Sequence, residues 1–192
     1  MSQQVAQTLG TDPALAPYVE EFGPLDLDPV EDTFERLVVS LLRQQVSIDA
    51  AAAIQQRLFD AVEITPEAML AADETALRDV GLSEAKTEYV KHVARAYQDH
   101  GYDRAYFVAM DDEAVVSELT EIRGVGPWTA KMFLLFALGR PDVFPVEDLG
   151  VRRGMEIVCD REMTRGEMRD RASEWAPYRS YASLYLWRAY EG

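Results

Sequence analysis

The sequence is poor in cysteine and in lysine. Its 192 residues contain one cysteine, Cys159, which excludes an internal disulfide and any four-cysteine zinc or iron–sulfur site. We therefore expect Cys159 to be a small core residue and the protein to carry no iron–sulfur cluster. Only Lys86, Lys91 and Lys131 are lysines, against 34 acidic residues. A net charge of −15 with so few lysines indicates a halophilic protein, in which carboxylates keep the surface hydrated and salt screens their repulsion.

Long apolar runs and strand patterns are also missing. No apolar run reaches the roughly 18 residues of a membrane span, so the sequence predicts none. The first residues, MSQQVAQTLGTD, lack the charged and apolar regions of a signal peptide, so we expect a cytoplasmic protein. No alternating strand pattern of useful length appears, which favours an all-α fold. The apolar fraction of 48% suffices for a globular core.

Helical periodicity and capping residues divide the chain into helices. Ser47 is a typical N-cap, residues 83–86 open a long helix, and Gly81 is typical of a residue that ends a helix. Residues 10–29 contain four prolines, so we expect residues 1–30 to form an extended arm and residues 31–192 the core. The predicted helices cover residues 33–44, 47–62, 73–80, 83–100, 129–138, 149–158, 164–175 and 181–190, with further ones opening at Pro66 and after Asp111.

The most informative segment is residues 119–131, LTEIRGVGPWTAK. Gly124 and Gly126 bracket one apolar residue and permit a tight turn with close backbone approach to a partner. Pro127 fits the first position of a helix, where a missing N–H costs nothing. The N–H groups of the turn and of the helix start then form an anion site suited to a phosphate. From spacing alone, a helix–turn–helix corner without a ligand is the alternative.

Five motifs carry a resemblance to a known family: LTEIRGVGPWTAKMF, VFPVEDLGVRRG, RQQVSIDA, WAPYRSYASLYLW and, more weakly, VGLSEAKTEY. The sequence resembles the helix-hairpin-helix (HhH-GPD) superfamily of DNA base-excision glycosylases, and within it the alkylbase branch, 3-methyladenine DNA glycosylase II. The resemblance implies an all-α fold of two helical lobes with a central cleft. It also implies a monomeric enzyme on damaged double-stranded DNA, associated with the nucleoid. Such an enzyme flips out alkylated purines (3-methyladenine, 7-methylguanine) and hydrolyses the N-glycosidic bond, which leaves an abasic site.

Asp148 is the expected catalytic residue. It matches the family's catalytic aspartate in the motif FP–x–x–D–L, here FPVEDL. Cleavage of an N-glycosidic bond develops oxocarbenium-like positive charge on the sugar, and a fixed carboxylate stabilises that charge and orients the attacking water. The alternative is that Asp148 is only the N-cap of a helix that starts at Leu149, although both roles are compatible. Glu147 is a second candidate.

Trp128 bears on the type of reaction. Bifunctional members of the resembled superfamily have a lysine at this hairpin position, which attacks the sugar and forms a Schiff base. Tryptophan cannot do this, and Lys131 lies three residues further on. The resemblance therefore implies base release without lyase activity. Trp128 could equally be a packing residue.

Aromatic residues cluster between positions 175 and 187 and suggest a base pocket. Electron-rich rings attract cationic rings such as those of alkylated purines. Trp187 matches the family's pocket tryptophan, whereas Tyr181 and Tyr185 fit a plain core equally well. Where a bacterial member has a pocket tyrosine, this chain has Met132, so the base preference stays open. The expected base-pocket residues are Trp187, Trp128, Met132, Tyr178 and Trp175.

The expected DNA contacts come from two segments and several basic residues. In the family an apolar wedge at the position of Gln45 fills the gap left by the flipped base; here the wedge would be polar, unless both Gln44 and Gln45 are simply solvated. Backbone carbonyls of Thr120, Ile122 and Val125 match positions that hold Na⁺ or K⁺ in the family, and no cofactor is expected to be required. The expected DNA-binding residues are Gly124, Gly126, Thr129, Gln44, Gln45, Arg152, Arg153 and Lys131, although the arginines could equally pair with carboxylates.

The acidic charge is unevenly distributed. Residues 1–118 hold 23 acidic and 8 basic residues, a net of −15, whereas residues 119–192 hold 11 of each. The half that contains the hairpin is therefore neutral, although an acidic protein that avoids nucleic acid is the competing interpretation. Two other functions also remain as alternatives: a non-catalytic helix-hairpin-helix DNA-binding module, and a glycosylase for another lesion such as hypoxanthine or an oxidised base. A module that only binds DNA would need neither Asp148 nor the aromatic cluster.

Overall fold

Thirteen α-helices make up the regular structure of residues 2–192, the part of the chain that the computed structural model describes. These residues form no β-strand, which confirms the predicted all-α fold. No helix among them is both long and apolar enough to cross a membrane. In chain order the helices are α1 (Ser2–Leu9), α2 (Ala16–Phe22), α3 (Thr33–Arg43), α4 (Ile48–Ala61), α5 (Pro66–Ala71), α6 (Glu74–Asp79), α7 (Glu84–His100), α8 (Arg104–Val108), α9 (Asp112–Thr120), α10 (Pro127–Phe136), α11 (Leu149–Val158), α12 (Arg165–Ser173) and α13 (Arg179–Glu191).

Side-chain caps determine where most of these helices begin. Ser47 accepts a hydrogen bond from the Ala50 N–H at the start of α4, and Ser83 accepts one from Lys86 at the start of α7. Such caps satisfy N–H groups that have no partner inside the helix. The cap at Ser47 and the helix start at residue 83 were predicted, because both signals are local in the sequence. The short helix α8 was not predicted.

Residues Val30–Leu138 form one compact unit, built from α3 to α10. Its core includes Leu37, Leu41, Phe107 and Phe133, all of them fully buried. Phe107 meets Phe133 edge to face, with ring centroids 4.9 Å apart. This unit carries the hairpin segment that the sequence identified.

The second unit combines the residues up to Pro29 with Gly139–Gly192. Helices α11 and α13 pack in close contact at Gly154. A Cβ at this position would lie 1.9 Å from the carbonyl oxygen of Leu186. Only glycine allows two helix backbones to approach so closely. Asp148 and Trp187 both belong to this unit.

The prediction of an extended N-terminal arm over residues 1–30 was wrong. The segment contains helices α1 and α2, and its Leu9 and Leu15 are buried in the unit that also holds residues 139–192. The prolines misled the interpretation because Pro17 lies in the first turn of α2. A proline there loses no helical hydrogen bond, so it does not prevent a helix.

Candidate functional site

Asp148 lies at the N-cap of α11, in a half-buried position. Its Oδ1 accepts a hydrogen bond from the Val151 N–H at 2.9 Å, so the capping role is real. The same oxygen accepts a second hydrogen bond from the indole Nε1 of Trp187, at 2.8 Å. A cap does not need this second donor. The carboxylate is therefore oriented from two directions, by the helix start and by α13.

The loop that precedes Asp148 is fixed by hydrogen bonds of its own. The Asp148 N–H donates to the Pro145 carbonyl at 2.8 Å. Arg152 donates from Nη1 to the carbonyls of Val146 and Glu147, at 3.1 and 2.6 Å. Arg152 thus holds the loop through Nη1, and its expected contact with DNA stays a prediction. A carboxylate on so constrained a segment keeps its position with little reorganisation.

Gly150 makes the contact between Trp187 and Asp148 sterically acceptable. A Cβ at this position would lie 2.8 Å from Cδ1 and 3.1 Å from Nε1 of Trp187, and 3.2 Å from Oδ1 of Asp148. Carbon atoms in normal contact are about 3.5–4.0 Å apart, so any larger residue would displace the indole. Nothing in the sequence singles out Gly150, because its importance comes from a side chain 37 positions away.

Trp175 does not belong to an accessible base pocket, contrary to our expectation. It is 2% exposed, and its Nε1 donates to Oδ2 of Asp12 at 2.9 Å. The Arg171 guanidinium lies 4.8 Å from the centre of the indole ring and forms an ion pair with the same Asp12. Burial alone would raise the pKa of Asp12, but hydrogen bonds from Arg171 and Trp175 lower it below its ordinary value. These three residues fasten the N-terminal segment to α12.

The other aromatic residues of this segment divide into core and surface. Tyr181 and Tyr185 are buried, as the plain-core interpretation predicts, and the Tyr185 hydroxyl donates to the Gly23 carbonyl at 2.7 Å. Tyr178 is half-buried and meets Tyr181 edge to face. Trp187 is half-buried as well. Tyr178 and Trp187 are therefore the two expected pocket residues of this unit that keep exposed surface.

The hairpin turn between α9 and α10 uses its two glycines for different reasons. Gly124 has φ +100°, and a Cβ there would lie 2.2 Å from Cγ of Tyr89. Gly126 is the N-cap of α10 with φ −100°, and a Cβ there would meet nothing within 4 Å. Tyr89 therefore requires the first glycine, whereas the second leaves an open approach to the backbone at the helix start.

Two of the expected DNA contacts are used inside the protein. Gln44 donates from Nε2 to the Gly124 carbonyl at 3.0 Å and to Oγ1 of Thr129 at 2.8 Å. Thr129 is 1% exposed. In the free protein the bonds that these two residues make hold the hairpin to the end of α3, and their contact with DNA stays a prediction.

Gln45, by contrast, is exposed at the corner between α3 and α4. It has φ +57°, in the left-handed region that few residues other than glycine adopt. Val46 and Ile48 beside it are also exposed, Ile48 to 74%. The role of Gln45 as a wedge stays a prediction.

The remaining residues of the sequence-based site lie in varied surroundings. In the hairpin unit, Met132 is 4% exposed and packs in the core, so the free protein does not offer it to a base. Trp128 and Lys131 are half-buried on α10. In the other unit, Arg153 is exposed and pairs with Glu156 at 2.8 Å. A surface pair of this kind is weak, so a phosphate can replace it.

No group of three or more His, Cys, Asp or Glu side chains within residues 2–192 is arranged to hold a metal ion. The expected cation ligands are instead carbonyls of the hairpin turn. The Ile122 carbonyl accepts the Val125 N–H at 2.9 Å, which leaves its second lone pair for another ligand. The side chain of Thr120 donates back to the Val116 carbonyl at 2.8 Å.

Comparison with known proteins places this arrangement in a family. The model for the HhH-GPD superfamily of base excision DNA repair proteins matches residues 38–177. A DNA-3-methyladenine glycosylase of Bacillus subtilis is 29% identical over 192 residues, which cover 92% of this chain and 63% of that protein. The chain spans less than two thirds of the length of the Bacillus subtilis relatives that it matches.

Two solved structures have closely similar folds. One is the Schizosaccharomyces pombe 3-methyladenine DNA glycosylase Mag1 in complex with abasic DNA, with a TM-score of 0.90, 27% identity and coverage of 96% of this chain and 95% of that one. The other is a DNA-3-methyladenine glycosidase from Bacillus halodurans, with a TM-score of 0.83, 34% identity and coverage of 98% and 89%. The likeness extends over nearly all of both chains.

Proposed function

The chain belongs to the HhH-GPD superfamily of base excision DNA repair proteins, and we propose that it hydrolyses the N-glycosidic bond of alkylated purines in double-stranded DNA. The observation that carries the proposal is the geometry of Asp148, whose Oδ1 is held by Val151 and by Trp187. The indole donor goes beyond what a helix cap requires, and it holds the carboxylate of a half-buried residue in one orientation. A carboxylate held in this way is suited to a position beside a reacting sugar.

The reaction breaks the bond between C1′ and the purine nitrogen, and the electron pair of that bond leaves with the base. The sugar becomes oxocarbenium-like, and the Asp148 carboxylate stabilises its positive charge. Water then adds to C1′ and loses a proton, which gives a free base and an abasic site. The fixed loop around Arg152 keeps the carboxylate in place throughout.

Alkylated purines are suitable substrates for a site whose proposed catalytic group is a single carboxylate. 3-Methyladenine and 7-methylguanine carry positive charge in DNA and are good leaving groups, so little help is needed at the base itself. Electron-rich rings attract such cationic bases, and Trp187 and Tyr178 keep exposed surface for the purpose. Support also comes from the relatives, which are named for 3-methyladenine.

The enzyme is monofunctional in this proposal. Trp128 occupies the hairpin position at which bifunctional superfamily members have a lysine, and an indole nitrogen does not form a Schiff base with the sugar. The product is therefore an intact abasic site. Borohydride should trap no covalent complex between the protein and DNA, and no strand should break without heat or added base.

The hairpin and the corner between α3 and α4 provide the contacts to DNA. The open backbone at Gly126 and Pro127 accepts a phosphate, while Gln45 enters the gap that the flipped base leaves. Lys131 and Arg153 add phosphate contacts. Carbonyls of Thr120, Ile122 and Val125 would hold Na⁺ or K⁺ beside the phosphate, where a hard cation reduces charge repulsion. The protein acts as a monomer on DNA of the nucleoid, in the cytoplasm.

Base release from methylated duplex DNA tests the proposal, with the products identified by chromatography. Asp148→Asn should lower the rate at least ~100-fold and leave binding to abasic DNA nearly unchanged, since asparagine remains a good N-cap. Asp170→Asn, at an exposed position of α12, is the matched control and should keep full activity.

Each alternative function has its own outcome in the same assay. DNA binding without release of any base indicates a non-catalytic module. Release of hypoxanthine or an oxidised base, with alkylated purines left intact, indicates a different lesion. Near-normal turnover by Asp148→Asn rejects the assignment of the catalytic carboxylate.

A further inference from the structure

Three side chains of the hairpin unit connect the two elements that the proposed function assigns to DNA. Gln44 lies at the end of α3, and Lys86 and Tyr89 lie one turn apart on α7. None of them belongs to the hairpin, yet all three contact it or the end of α3. We refer to Gln44, Lys86 and Tyr89 as the hairpin brace.

Gln44 forms the direct link. Its Nε2 has two N–H bonds, and they reach the Gly124 carbonyl and the Thr129 hydroxyl, at 3.0 and 2.8 Å. Gly124 belongs to the turn and Thr129 to the first turn of α10, so one amide group holds both sides of the hairpin bend. Both donors of the amide are used inside the protein, which leaves none for a base.

Lys86 binds the C-terminal end of α3, next to Gln44. Its Nζ donates to the Leu42 carbonyl at 2.6 Å. Leu42 is in the last turn of α3, where carbonyls have no partner within the helix, and a positive charge there is favourable. Burial lowers the pKa of Lys86 below its ordinary value, in keeping with a position inside the unit.

Tyr89 completes the brace by contact. Its ring occupies the space that a side chain at position 124 would need, with Cγ 2.2 Å from the place of a Cβ. The turn therefore cannot move toward α7. With Gln44 on one side and Tyr89 on the other, the carbonyl of Gly124 has a fixed direction.

Gln45 follows directly after this anchored residue. Its backbone has φ +57°, a strained conformation that persists only where its surroundings enforce it. The hydrogen bonds of Gln44 and the anchored carbonyl of Leu42 supply that enforcement. The side chain of Gln45 is exposed.

We propose that Gln44 and Lys86 are positioning residues that hold the hairpin turn (residues 121–126) and the wedge corner (residues 45–48) as one preorganised DNA-binding surface, and that Gln44 itself touches no base. This inference rests on the proposed function for its DNA readout. Preorganisation raises affinity because fewer segments must be ordered on binding. It does not act on the chemical step once DNA is bound.

The test compares Gln44→Leu with Gln45→Ala on duplexes that contain an abasic site opposite each of the four bases. Gln44→Leu should weaken binding about tenfold, the equivalent of one net hydrogen bond, and by the same factor for all four opposite bases. The single-turnover rate at saturating protein should stay near that of the wild type. Gln45→Ala should instead show a loss that depends on the opposite base.

Hydrogen exchange in the free protein gives a readout that needs no DNA. Gln44→Leu should speed the exchange of backbone amides at residues 125, 126 and 128–130, whereas Gln45→Ala should leave them unchanged. Lys86→Met should speed exchange at residues 44–48, and Lys86→Arg, which keeps the charge, should restore part of the protection. Thr129→Val removes one acceptor with little change of shape, so it provides a milder variant if Gln44→Leu does not fold.

Two results would overturn the inference. One is a loss of binding in Gln44→Leu that varies with the opposite base, because Gln44 would then be a direct contact. The other is unchanged exchange at the hairpin in Gln44→Leu or, if that variant does not fold, in Thr129→Val. A wild-type protein that neither binds DNA nor releases a base would refute the proposed function alone. The hydrogen-exchange experiment needs no DNA, so it would still test whether Gln44 and Lys86 hold the hairpin and the corner.

Discussion

Replacing Gly150 by alanine should impair the candidate active site while leaving the fold intact. The added Cβ would lie 2.8 Å from Cδ1 of Trp187 and 3.2 Å from Oδ1 of Asp148. Both neighbours belong to the pair whose hydrogen bond orients the carboxylate. The new methyl group therefore acts on the position of Asp148 without changing any polar group.

The size of the effect follows from the distances. A normal carbon contact of about 3.5–4.0 Å requires the indole to move by roughly 0.7 Å or more. The Trp187–Asp148 hydrogen bond, now 2.8 Å, would lengthen to about 3.5 Å, where it contributes little. A hydrogen bond to a charged group contributes about 1.5–3 kcal/mol, so we expect base release to slow roughly 10- to 100-fold.

Single-turnover release of 3-methyladenine measures this loss, and urea unfolding measures stability. Gly166→Ala is the matched control, since both glycines occupy the second position of their helices, α11 and α12. A Cβ on Gly166 would meet only Oγ1 of Thr164, at 3.9 Å. The control should keep the wild-type rate, and alanine should stabilise α12 by about 0.5–1 kcal/mol.

The double variant with Trp187→Phe shows whether the effect passes through the indole. Phenylalanine removes the N–H donor, so adding Gly150→Ala should cost little beyond the loss caused by Trp187→Phe alone. A wild-type rate for Gly150→Ala would refute the reasoning, and so would two losses that simply add.

Three further predictions concern stability. Gly154→Ala should destabilise the fold by at least about 3 kcal/mol in urea unfolding, because its Cβ would lie 1.9 Å from the Leu186 carbonyl oxygen and the backbone cannot yield; a soluble variant of normal stability would contradict the packing of α11 on α13. The folded-state pKa of Asp12 is lowered, so its carboxylate stabilises the fold above the unfolded pKa near 4, and this is lost as the pH falls through the folded pKa. Acid titration should therefore destabilise the wild type more than Asp12→Asn, and equal acid sensitivity would count against the ion pair with Arg171. Finally, the net charge of −15 predicts that the melting temperature rises with potassium chloride into the molar range and that base release persists there, because the Debye length falls from ~10 Å at 0.1 M to ~3 Å at 1 M; greatest stability in dilute buffer would refute the halophilic interpretation.

Much of the fold could be predicted because its signals are local. The caps at Ser47 and Ser83 accept hydrogen bonds from N–H groups three residues further on, so a few neighbouring residues determine where each helix begins. The six-residue motif FPVEDL likewise predicted a helix that begins at Leu149 directly after Asp148, and α11 begins there. Local signals failed at residues 1–30, where the prolines indicated an extended arm. The segment instead contains α1 and α2, and its Leu9 and Leu15 are buried in the core of their unit.

The roles within the candidate site were decided by partners far along the chain. Trp175 and Trp187 are the same residue type in one aromatic segment, yet one bonds to Asp12 and the other to Asp148. The weak motif SEAKTEY contains Lys86 and Tyr89, but nothing in it shows that they fasten α3 and the hairpin.

Gln44 and Gln45 give the sharpest contrast, because they are identical neighbours. The first is held by the hairpin, and the second is exposed with a left-handed backbone. The sequence by itself predicts that the two glutamines lie between the end of an amphipathic helix and a serine cap, because these signals extend over only a few residues. Which glutamine faces inward depends on a carbonyl 80 positions away, and only tertiary packing brings that carbonyl within reach.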